Sequence, residues 1–183
     1  MQFRNREEQA VAALKTAREL LELGSDAQAA RAASDAISHA KTTHTRCAAL
    51  TVLAWARLGM GYPESAKAAL ERIDPPQELE LYCYAAVQAA CGNTRLAIQA
   101  LEDSRSSRSL CCGGAKLLVD LYVRQNRLDR AVAAAIQTRQ VLGADNCRIV
   151  LLAAREAGAL TPAAALALSA IPDTPSIDRV SAP

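Results

Sequence analysis

A glycine followed five residues later by an alanine recurs along this chain, and that pairing constrains the fold more than any other feature. Gly24 precedes Ala29, Gly61 precedes Ala66, Gly92 precedes Ala97 and Gly158 precedes Ala163. In the remaining copy Asn126 stands before Ala131. Successive alanines are 37, 31, 34 and 32 residues apart. Helices commonly end on a residue with left-handed backbone, for which glycine is best and asparagine next. The alanine then falls one turn into the following helix, where only a small side chain lets two helices approach closely. Five such marks predict five helix hairpins, at about 7–40, 46–73, 78–103, 113–142 and 146–171.

The surrounding residues agree with that reading. Ser25 and Asp26 after Gly24, and Thr161 with Pro162 after Gly158, have the character of helix starts, and Pro63 and Asp129 suit the same role. Before each mark runs an apolar stripe at helical spacing: Leu50, Leu53 and Ala54, then Leu81, Tyr84 and Ala85, then Ala115, Leu118, Val119 and Tyr122. Four residues after each small alanine comes another apolar position: Ala33, Leu70, Leu101, Ala135 and Ala167. Amphipathic helices so patterned bury one another's faces.

Composition points the same way. Apolar residues make up 51% of the 183 and aromatics 3%, so the core must be Ala, Leu, Val and Ile, and strand-filling residues are scarce. A net charge of +2 offers no basic face for nucleic acid and no polybasic membrane signal. The first residues, "MQFRNREEQAVAALK", are charged from the start, and the most apolar run, "GALTPAAALALSAI", is too short to span a bilayer. The expectation is a cytoplasmic protein whose six cysteines are reduced thiols. The linkers are read as "KTTHTR", "DPPQE", "DSRSSRSLCC" and "GADN", and residues 172–183 as a mobile tail.

Chemistry is sparsely provided for. His39, His44 and Cys47 do not have a zinc spacing, and no CxxC pair exists. No phosphate loop follows a strand. Neither catalytic residues nor a cofactor or metal site is expected. Five cysteines, Cys47, Cys83, Cys91, Cys112 and Cys147, fall on the first helices of units, as small packing residues do. Cys111 and Cys112, beside Gly113 and Gly114, form a loose joint in which the helix gathers strength from Ala115. Cys111 lies near Arg105, Arg108 and a helix start, so a thiol or metal-dependent regulatory role for Cys111 and Cys112 is an alternative.

The repeat resembles the tetratricopeptide (TPR) motif over roughly residues 8–171. The second unit, "LTVLAWARLGMGYPESAKAALERIDP", is the nearest, with Leu50, Leu53, Ala54, Ala66, Leu70 and a closing Pro75. The resemblance implies an all-α, right-handed superhelix, an α-solenoid of about five hairpins whose first helices line a concave groove. By position within each unit it assigns to that groove Leu14 and Arg18, then Thr51, Trp55 and Leu58, then Tyr82. Lys116, Asp120 and Arg124 follow, and Arg148 and Arg155 complete it. The N-terminal part is apolar and aromatic and the C-terminal part basic. Such a groove suits a peptide or amphipathic helix of another protein with an acidic or carboxylate end. The function implied is a scaffold, adaptor or chaperone, with secretion-system chaperones among the fold-level parallels. The apolar C-terminal hairpin adds a second copy of the chain as an expected partner. An RNA-binding helical array of similar period is the other alternative.

Overall fold

The computed structural model describes residues 2–74, 80–158 and 162–170. These residues form eleven helices and no strand. The chain divides into two compact units, Met1–Arg108 and Ser109–Pro183.

The first unit holds three hairpins. They are α1 (Gln2–Glu22) with α2 (Asp26–His39), α3 (Thr43–Gly59) with α4 (Pro63–Leu70), and α5 (Leu81–Ala90) with α6 (Thr94–Ser106). Each helix packs on the next from α1 to α6, and the first helices also pack on one another, α1 on α3 and α3 on α5. The second unit holds α7 (Cys112–Arg124), α8 (Leu128–Gln137), the single turn α9 (Arg139–Leu142), α10 (Ala144–Glu156) and α11 (Pro162–Ser169). Here α8 packs on α7, α10 and α11, and α9 lies against α7, α8 and α10.

The predicted marks are where the hairpins turn. Gly24, Gly61, Gly92, Asn126 and Gly158 all have left-handed backbone, with φ between +56° and +81°. Four of the turns close by the same pair of bonds. In the second hairpin the Gly61 amide donates to Leu58 at 3.0 Å and the Tyr62 amide to Arg57 at 2.9 Å. In the fourth, Asn126 donates to Val123 and Arg127 to Tyr122, both at 2.9 Å. The paired alanines Ala29, Ala66, Ala97 and Ala131 are wholly buried, as small residues between packed helices should be. The apolar positions of the stripes follow: Leu50, Leu101 and Leu118 are sealed in, each stabilising the fold by about 1.5–3 kcal/mol. Pro63 opens α4 and Pro162 opens α11, while Asp129 sits in the first turn of α8 behind Arg127.

Several boundaries differ from the sequence reading. α6 continues to Ser106, so the joint before the fourth hairpin is residues 107–111 only. Within that joint Arg108 is a non-glycine residue at φ +59°, which no glycine or asparagine in the sequence announced. α7 begins at Cys112 rather than at Ala115. The Cys111 sulfur accepts the Gly114 amide at 3.4 Å, and this cap offsets the glycines' weak helix preference. "GADN" is no linker, because Gly143 alone separates α9 from α10. "KTTHTR" is mostly the first turn of α3, which starts at Thr43. Residues 75–79, Thr161 and the 172–183 tail lie outside the described residues.

One tertiary clasp ties the first hairpin to the second. The Glu7 carboxylate of α1 accepts the Thr42 hydroxyl at 2.8 Å, the Thr45 hydroxyl at 2.6 Å and the Lys41 amide at 2.6 Å. These groups surround the N-terminus of α3, where exposed amides favour negative charge. Thr45 leads, with the Lys41 amide and Thr42 next, in holding the Glu7 carboxyl at about 2, well below the usual carboxylate range.

Candidate functional site

In the first unit the predicted groove residues fall on α1, α3 and α5. Thr51, Trp55 and Leu58 stand at i, i+4 and i+7 of α3, and all three are half-buried. The Thr51 hydroxyl is turned back onto the Cys47 carbonyl at 3.1 Å. Trp55 rests on the core built by Leu50, Leu53 and Leu70, and its ring centroid lies 5.0 Å from that of Tyr82, tilted by 56°. That is the separation of an attractive tilted aromatic pair. Tyr82, on α5, is also half-buried. The two rings thus bridge adjacent first helices while each keeps part of its surface open. Arg18 is exposed on α1, whereas Leu14 is buried in the core.

In the second unit Lys116, Asp120 and Val123 line one wall of an open apolar groove of about 290 Å³. The opposite wall is α10, through Asn146, Ile149, Val150 and Ala153, and the floor includes Ala131 and Val132 of α8 with Leu142 of α9. Val123 and Ile149 are exposed, Ile149 to 64%. Asp120 pairs with Arg124 at 2.8 Å one turn on, an exposed i,i+4 pair of small energetic weight. Arg148 is half-buried and Arg155 exposed, and neither lines this groove.

Ile149, Val150, Ala153 and Leu142 were not singled out by the sequence. The signal was present in α10 as the spacing Asn146, Ile149, Val150, Ala153. The same spacing marks a core stripe, and it faces a groove here because α9 lies against both α7 and α10.

The cysteines divide by burial. Cys47, Cys83 and Cys147 are buried, their thiols turned onto the carbonyls of Asp74, Thr51 and Ala135. Burial pushes the Cys83 thiol up, with the Glu80 carboxylate adding to it, and burial likewise raises Cys147 against the opposing charge of Arg139. Cys111 and Cys112 are exposed, which for Cys112 departs from the packing role that its helix position suggested. His39 is half-buried at the end of α2 and His44 exposed in the first turn of α3. Among the described residues no three His, Cys, Asp or Glu side chains converge on a metal site, and no helix is long and apolar enough to cross a membrane.

No protein-family model, curated protein or solved structure matches this chain.

Proposed function

We propose that this protein is a non-catalytic interaction module, a scaffold, adaptor or chaperone, that holds a peptide or helix of another protein. On this reading the hairpins are TPR-like units of a right-handed solenoid, and their first helices carry the binding surface. The recurrent left-handed residue, the sealed alanine after it and the packing of α1 on α3 and α3 on α5 support it. Six free thiols suit a reducing compartment, and the cytoplasm is the one we propose.

The observation that carries the function is the Trp55–Tyr82 pair. Tryptophan and tyrosine supply large contact area at low entropic cost and dominate binding hot spots. Here they are joined across two helices and left half-open.

The test compares partner capture from a lysate of the source organism by the wild-type chain and by Trp55→Ala and Tyr82→Ala, with folding monitored by circular dichroism. A specific protein retained by the wild type and lost from both folded variants is the expected result. Equal retention by all three would overturn the assignment. Trp55 is the sole tryptophan, so its emission should also shift when the identified partner's peptide is added.

A further inference from the structure

In the first unit, the first helices of successive hairpins pack on each other, α1 on α3 and α3 on α5. In the second unit α7 and α10 lack that close packing, and α9 lies against both. Between them the apolar groove stays open, with Val119 and Val123 on one side and Ile149 and Ala153 on the other. Both walls thus present side chains at i and i+4.

Polar side chains along the groove are few: Lys116, Asp120 and Asn146. Asp120 is held by Arg124, and the Asn146 amide donates to the Leu142 carbonyl at 3.0 Å. Lys116 is exposed and has no carboxylate partner among the described residues. The walls and floor are helical, with their backbone bonds made internally. An extended peptide lying here would bury its own N–H and C=O groups without partners. A helix satisfies its backbone within itself and offers a row of side chains at the matching i, i+4 spacing. The second unit, Ser109–Pro183, has eight Lys and Arg against six Asp and Glu, a small positive excess that suits an acidic visitor.

We propose that the α7/α10 groove docks an amphipathic α-helix of a partner protein, seated by aliphatic side chains and carrying a carboxylate opposite Lys116. The proposal rests on the reading of the chain as an interaction module but uses residues other than Trp55 and Tyr82. Failure here would therefore leave the capture test at Trp55 standing.

The probes are fluorescein-labelled, acetylated and amidated Ala-based helical peptides with Leu at i, i+4 and i+7. Each carries Glu one turn before or one turn after the leucines, and Lys counterparts are made of both. Anisotropy titrations use the full chain. We expect saturable binding with one Glu peptide preferred over its Lys counterpart by about threefold, the worth of a half-exposed ion pair. Lys116→Glu should reverse that preference. Ile149→Glu, at a position exposed enough to tolerate charge, should weaken binding at least tenfold while leaving the circular dichroism spectrum intact. Absence of saturable binding, or a preference indifferent to Lys116→Glu, would overturn the proposal. So would a concentration-dependent dimer without peptide that Ile149→Glu abolishes, since a second copy would then be the occupant.

Discussion

The Thr45 hydroxyl donates to Oε1 of Glu7 at 2.6 Å, joining positions 38 residues apart and fixing the start of α3 against α1. A charged acceptor ringed by donors ionises more readily folded than unfolded, and stability follows the difference. The folded carboxyl titrates at about 2 against an ordinary value of 4.5, so its contribution is fully present above about 4.5 and lost as pH falls toward 2. Glu7→Gln should therefore be less stable than wild type at pH 7, with the gap closing between pH 4.5 and 2. Urea denaturation of both across that range checks it.

Left-handed hairpin ends make a prediction of opposite signs. A Cβ added at Gly61 meets nothing within 4 Å, so Gly61→Ala tests the backbone alone at φ +80°. It should cost about 1 kcal/mol. Arg108→Gly and Asn126→Gly relax side-chain-bearing residues at φ +59° and +56° and should be neutral or stabilising by up to about 1 kcal/mol. Thermal melts of the three variants distinguish these outcomes.

The sealed alanines should not tolerate enlargement. Ala66 and Ala97 are wholly buried, so Ala66→Leu or Ala97→Leu must push two helices apart, at about 1–3 kcal/mol each. Leu50→Ala and Leu118→Ala, which empty space in the same kind of core, should cost about 2–5 kcal/mol. Denaturant midpoints at constant m-value would verify both.

Thiol labelling should separate five of the six cysteines into two classes, with half-buried Cys91 between them. Cys111 and Cys112 are exposed and should react with a small disulfide reagent in the folded protein. Cys47, Cys83 and Cys147 are buried, and burial raises the last two thiols, so they should react only on unfolding. Mass-resolved labelling with and without urea reads this directly.

What was legible in the sequence was local. Gly61 and Asn126 announced helix ends because few residues accept positive φ, and Ala66 announced a close helix contact because nothing larger fits. Arg108 shows the limit: its left-handed backbone is held by the end of α6 and not by its own preference. Cys111 shows another, since a sulfur capping Gly114 lets a helix start where the glycines argue against one. Trp55 was legible as an anchor candidate, but its partnership with Tyr82 depends on how α3 meets α5.

Local sequence dictates the helical class of the described residues, where the hairpins turn and which small residues lie between helices. Those features are decided within a few residues by backbone sterics and apolar spacing. Tertiary packing sets the clasp of Glu7 on α3, the sealing of Cys83 beside an open Cys112, and the groove that α7 and α10 leave beside Lys116. Each of these depends on which faces meet across tens of residues, and an i, i+4 apolar stripe reads the same whether a neighbouring helix covers it or a groove exposes it.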